Sequence, residues 1–200
     1  MTRDLVVRNI GRLITPAGRA PRLGPELGGV REIAAAALVA QDGRITYVGP
    51  ESRLRPDDIP PGAPTLDAGG AAVLPGFVDA HTHLAFAGDR DGEIRQRLAG
   101  VTYKEIAAAG GGIVRSVTAT RACSRDTLAA LLKSRLDEML LCGTATAEVK
   151  SGYCLETAAE IRSLEAIREA GQSHPVTLVP TFLGAHEVPP EHRDQRERYV

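Results

Sequence analysis

The chain has 200 residues, with 24 Lys and Arg against 25 Asp and Glu and a formal net charge of −1. That balance argues against a nucleic-acid arm or a membrane-surface patch, and 43% hydrophobic with 24% charged residues is ordinary for a soluble globular protein. No apolar run approaches the roughly 18 residues of a membrane span. The opening Met1-Thr2-Arg3-Asp4 lacks the apolar core of a signal peptide. Three cysteines, Cys123, Cys142 and Cys154, are odd in number and too sparse for a disulfide framework, so a cytoplasmic location is expected.

In chain order, Leu5–Ile10 reads as a strand and Ala34–Ala40 as a second. Asp42-Gly43 then leads into Arg44–Gly49, a hairpin signal because a type I′ turn needs positive φ at both central residues. Thr15–Gly29 and Pro56–Pro64 are rich in Pro and Gly or Asp and read as loops. A boundary is expected near residues 65–72. Beyond it, Ala71–Asp79 is an apolar run of the kind expected for a strand buried on both faces.

The spacing of Leu128, Leu131, Leu132, Leu136, Met139 and Leu140 predicts a helix over Asp126–Cys142, capped by Ser124 or Asp126 and closed by Gly143, with Cys142 in the core. Thr144–Val149 reads as a strand. Glu156–Ala170 reads as a helix burying Ile161, Leu164 and Ile167 and stopping at Gly171; Val176–Phe182 reads as a third strand. Strand, helix, strand, helix, strand predicts an α/β protein with a parallel sheet and right-handed crossovers. The tail from Pro189 begins like a helix and stops without a cap.

His81-Thr82-His83 ends the first strand of this second region. Residues i and i+2 of a strand share a face, so both imidazoles can reach one zinc or iron ion. Asp79 has the same parity and suits a supporting carboxylate. Two surface histidines in a loop remain the bland alternative for a bare His-x-His. Gly110-Gly111-Gly112 lacks the spacing of a phosphate loop and reads as a tight turn with close backbone approach. Arg90 offers a planar fork for a carboxylate, against the plainer reading of a solvated loop arginine. Lys150 reads as a structural or supporting residue, and Tyr153 as either a ligand contact or an aromatic packed on a helix.

Asp67-Ala68-Gly69-Gly70 followed by Leu74-Pro75-Gly76-Phe77-Val78-Asp79-Ala80-His81-Thr82-His83 resembles the amidohydrolase superfamily signature. Leu84 to Arg90, Tyr103 to Ile113, Ala119-Thr120-Arg121, Glu148 to Tyr153 and Thr181 to His186 are similar to the imidazolonepropionase family. The resemblance implies a (β/α)8 barrel of the metallo-dependent hydrolase type beside a small β-sandwich. Residues 1–70 would be the N-terminal part of the sandwich and 71–200 the first strands and helices of the barrel. About 250 residues are needed for such a barrel alone, so the chain is expected to be the N-terminal half of the protein and inactive by itself.

The activity implied is metal-dependent opening of the ring of 4-imidazolone-5-propanoate to N-formimidoyl-L-glutamate in histidine degradation. Its cofactor is one zinc or iron ion. His81 and His83 match two of the metal ligands, and the others lie on later strands outside this chain. Arg90, Tyr153 and His186 match substrate contacts, with His186 also catalytic. Cys154 stands where the family usually has glycine, which bears on the loop beside Tyr153. The only partners implied are the small-molecule substrate and, for the complete protein, a second copy in a homodimer; neither nucleic acid nor membrane is expected. The competing readings are another cyclic-amide hydrolase, a heterocycle aminohydrolase, or an inactive truncated fragment.

Overall fold

A computed structural model describes residues 3–16, 18 and 21–200. The chain divides into two compact units, Met1–Pro75 and Gly76–Val200.

The first unit is built on one sheet. Strands β1 (Leu5–Pro16), β2 (Val30–Gln41), β3 (Arg44–Pro50), β4 (Thr65–Asp67) and β5 (Ala72–Val73) lie in the order β3-β2-β1-β4, and β5 also pairs with β1. The β2–β3 turn has φ 53° at Asp42 and 77° at Gly43, as the Asp-Gly pair predicts. β1 and β2 run longer than the sequence reading. A bulge between Val7 and Ile10, with Asn9 at φ 54°, lets β1 continue to Pro16. Asn9 donates from Nδ2 to Asp67 Oδ1 at 2.8 Å, tying the bulge to β4. Val7, Ile10, Leu13, Ile33 and Ala36 form the core of this sheet. The Thr15–Gly29 loop reading falls partly on residues outside the described set, as does the opening Met1-Thr2; Gly24–Gly28 forms a short 3-10 turn.

The second unit begins with β6 (Phe77–Thr82). It continues through α1 (Asp91–Leu98), α2 (Tyr103–Ala108), α3 (Ile113–Ala122), α4 (Arg125–Leu141), β7 (Thr144–Lys150), α5 (Thr157–Ser173) and β8 (Thr177–Thr181). The three strands form a parallel sheet with β7 in the centre. Strand alternation sends Ala147 and Val149 of β7 against α4 and α5, where Leu128, Leu132, Leu136, Ala166, Ile167 and Ala170 complete the core. Thr146, Glu148 and Lys150 lie on the opposite face. Ser124 caps α4 by accepting the Thr127 N–H at 3.1 Å. No helix among the described residues is long and apolar enough to cross a membrane.

Four expectations need correction. The apolar run Ala71–Asp79 is not one strand buried on both faces: β5 pairs in the first unit, and β6 exposes Phe77 and Val78. The break falls at Pro75-Gly76, where proline has no N–H to donate and a Cβ on Gly76 would lie 2.3 Å from Ala145 Cβ. In α5 the buried stripe is Ala159, Ser163, Ala166, Ile167 and Ala170, while Ile161 is exposed and the helix runs past Gly171. Ile167 is buried and Leu164 packs against the core as the sequence reading expects, but small residues fill most of the inner face and Ile161 falls outside it. Leu140 and Cys142 are exposed at the end of α4. Finally, α1, α2 and α3 were not anticipated. They are short, and α1 buries only Glu93 and α2 only Ile106.

Leu132 is fully buried between α4 and the sheet. Leu132→Ala is expected to cost about 2–5 kcal/mol of stability, read in the complete protein as a lower denaturant midpoint at unchanged slope.

Candidate active site

The carboxyl ends of the three parallel strands carry the residues singled out in the sequence. His81 lies in β6 and His83 just beyond it, with ring centroids 5.3 Å apart. His83 is 5.5 Å from the Tyr153 ring, which follows β7, and 5.2 Å from the His186 ring, which follows β8. Tyr153 and His186 meet edge to face at 6.4 Å. Four side chains from three strand ends thus form one ring cluster. The other two histidines are engaged elsewhere: His174 contacts Asp137 at 3.1 Å and His192 stacks on Tyr199.

His83 Nδ1 is buried with no hydrogen-bond partner among the described residues. Burial, reinforced by His186, His81 and Lys150, pushes the His83 imidazole below its usual value, with Glu148 opposing. The ring is therefore neutral at pH 7, the form that ligates zinc or iron. An unpartnered nitrogen beside a second imidazole fits two ligands of a metal ion. They are an incomplete set, since no group of three or more His, Cys, Asp or Glu among the described residues could hold a metal. Asp79 reaches neither ring by hydrogen bond; its Oδ1 accepts the His81 backbone N–H at 3.2 Å.

Glu148, which the sequence reading did not single out, organises the strand ends. Its Oε2 accepts the Thr82 N–H at 3.2 Å, its carbonyl accepts the Thr82 hydroxyl at 2.6 Å, and its Oε1 pairs with Lys150. Burial pushes the Glu148 carboxyl up, but the Lys150 ammonium, the Thr181 side chain and the Thr82 N–H together hold it below the usual range. Lys150 is thereby committed to an ion pair.

The loop carrying Tyr153 is held from both sides. Glu160, 3% exposed in the first turn of α5, accepts the N–H groups of Gly152 at 2.6 Å and of Cys154 and Leu155 at 2.8 Å each. Arg121 of α3 donates from Nε to the Cys154 carbonyl at 2.5 Å and from Nη2 to the Leu155 carbonyl at 3.1 Å. Gly152 has φ 109°, and a Cβ there would lie 3.3 Å from His186 Cβ. The Cys154 side chain points into the protein, 1% exposed, and burial pushes its thiol up to about 12. The residue is therefore inert and leaves Tyr153 facing the histidines.

Arg90 stands apart from the ring cluster but shares an open cleft of about 740 Å³ with Tyr153, Phe86 and Arg135. Its guanidinium pairs with Glu93 at 2.9 Å. Arg135 lies 3.7 Å over the Phe86 ring and donates to the carbonyls of Leu84 and Phe86 at 2.7 Å. That fixes the loop between β6 and α1. Glu160 and Arg135 showed no sequence signal beyond residue type, and Arg121 appeared only within the Ala119-Thr120-Arg121 family segment, with no role read for it.

No family model matches the chain. Curated relatives do. It is 54% identical over 198 residues to the imidazolonepropionase of Symbiobacterium thermophilum, covering 98% of this chain and 46% of the relative. It is 46% identical to that of Herpetosiphon aurantiacus and 47% identical to that of Myxococcus xanthus, again over 98% of this chain. Among solved structures, a triazine hydrolase variant superposes with a TM-score of 0.60 at 21% identity, covering 90% of this chain and 35% of that one. Guanine deaminase from Bradyrhizobium japonicum gives 0.55 at 18% identity, covering 88% and 34%. At those identities the structures speak for a shared α/β fold alone. The chain spans about half the length of the curated relatives it matches. Over that half, it belongs to the imidazolonepropionase family.

Proposed function

We propose that the complete protein is a metal-dependent hydrolase that opens the ring of 4-imidazolone-5-propanoate to N-formimidoyl-L-glutamate. The observation that carries this reading is the convergence of His81, His83, Tyr153 and His186 from three parallel strand ends, in a chain of this family. Parallel α/β folds build their sites at that end of the sheet. The exposed face of β6 supports reading the three strands as the start of a (β/α)8 barrel completed by the rest of the protein. The first sheet is then part of the small β-sandwich.

His81 and His83 would hold a single zinc or iron ion together with ligands from outside this chain. Such an ion supplies Lewis acidity, making water nucleophilic at neutral pH. The chain's own residues bind and orient. Arg90 takes the propionate carboxylate and so fixes the ring against the water. Tyr153 hydrogen-bonds the substrate. His186 donates to the ring carbonyl oxygen as negative charge grows there. Water adds at that carbon, the ring C–N bond breaks, and the departing nitrogen takes a proton.

In the full-length enzyme, His81→Ala and His83→Ala should each strip the metal, read by elemental analysis; full occupancy in the double variant would overturn the ligand assignment. Arg90→Ala should lower kcat/KM by the loss of a charged hydrogen bond to the substrate carboxylate, about 1.5–3 kcal/mol or roughly 10- to 150-fold. An unchanged kcat/KM would return Arg90 to the solvated loop. His186→Ala should lower kcat by about 10²–10³ at unchanged metal content. Loss of metal would instead make His186 a ligand, and wild-type kinetics would make it a bystander.

A further inference from the structure

The turn Gly110-Gly111-Gly112 and the buried acid of α1 have no part in the chemistry above, yet they meet at the residue proposed to bind the substrate carboxylate. Glu93 is the only buried residue of α1. Its two oxygens have separate partners. Oε1 accepts the Gly112 N–H at 2.7 Å, and Oε2 accepts both Nε and Nη2 of Arg90 at 2.9 Å. The turn is shaped around this carboxylate: a Cβ on Gly111 would lie 2.6 Å from Ile106 Cγ2 and 3.2 Å from Glu93 Oε1. Arg90 is thus gripped by one edge of its fork. Nη1 makes no hydrogen bond among the described residues, and the Arg90 side chain is 40% exposed beside the open cleft against 9% for Glu93.

We infer that Glu93 is a positioning residue: anchored by the Gly112 N–H, it fixes the Arg90 guanidinium so that the free edge receives a ligand carboxylate in the cleft shared with Tyr153. This rests on the reading of Arg90 as the carboxylate site. The pair is charged at neutral pH, because the hydrogen bond from Arg90 holds the Glu93 carboxyl below the usual range and Glu93 raises the guanidinium in turn. Charge alone predicts the opposite of positioning. Glu93 cancels the charge of Arg90, so an acid that acted only through its charge would weaken anion binding, and neutralising it would tighten the site. If orientation dominates, neutralising it loosens the site.

The test is competitive inhibition of the full-length, metal-loaded enzyme by imidazole-4-propionate and by 4-ethylimidazole, which share a ring and differ in the carboxylate. The ratio of the two inhibition constants reads the carboxylate site. Glu93→Gln should lower the wild-type preference for the propionate by about 10- to 100-fold, with metal content and 4-ethylimidazole binding unchanged. Glu93→Asp keeps the charge but shortens the reach, and should also lose preference; it carries the test if the Gln variant does not fold. An unchanged or increased preference in Glu93→Gln would overturn the proposal, as would equal loss of both inhibitors in either variant. In Arg90→Ala the preference should vanish. If it persists there, the Arg90 reading itself fails and Glu93 with it; if it vanishes there but survives both Glu93 variants, the Glu93 proposal alone fails.

Discussion

The site depends on one buried carboxylate. Glu160 accepts three N–H groups of one loop, from Gly152, Cys154 and Leu155, and they have no other hydrogen-bond partner among the described residues. Unpaired buried donors cost about 1–3 kcal/mol each, so the loop after β7 has one low-energy path. The acid sits in the first turn of α5, where the helix dipole favours negative charge. Arg121 holds the carbonyls of the same loop, so donors and acceptors are both consumed. Tyr153 is carried between them with its backbone fixed, and its ring is left to meet His83 and His186.

β7 shows how one strand serves stability and chemistry at once. Ala147 and Val149 face the helices and are fully buried. Glu148 and Lys150 alternate with them and pair on the other face. Desolvating such a pair makes it a poor source of stability. What it does is tie strands: Glu148 takes two hydrogen bonds from Thr82 of β6, one on its carboxylate and one on its carbonyl. The tie lies just before the points where His83, Tyr153 and His186 leave the sheet, which fixes their mutual spacing.

Local chemistry was legible in the sequence wherever it decided the structure. The Asp42-Gly43 turn, the Ser124 cap and the α4 stripe all depend on neighbours within a few residues. The i, i+2 spacing of His81 and His83 foretold their shared location, and the family motifs named Tyr153 and His186. What stayed hidden depends on residues far apart in sequence. Nothing near Glu160 or Arg121 says that each will reach a loop tens of residues or one turn away. α5 packs through Ile167 and Leu164 with alanines and Ser163 beside them, so reading its large residues alone wrongly placed Ile161 on the inner face. α1, α2 and α3 escaped notice because they bury too few residues for an apolar period, several of them polar; these are Glu93 in α1, Ile106 in α2, and Ser116, Val117 and Thr120 in α3.

Three arginines make the point sharply, since residue type cannot rank them. Arg121 has its donors on two carbonyls and on Glu191. Arg135 donates to two carbonyls and covers the Phe86 ring, and burial pushes its guanidinium down from the usual value. Arg121 is spent on loop geometry, whereas Arg135 donates from Nη1 alone and lays the face of its guanidinium on Phe86. Arg90 alone of the three has one edge held by a side chain and the other open to a cleft. A guanidinium presents two parallel N–H bonds only along an edge, so an arginine anchored on one side is a directed anion receptor, and an arginine anchored on all sides is a staple. The same fork thus does opposite work at positions 90 and 121, and the difference lies wholly in what the fold has already bonded to it.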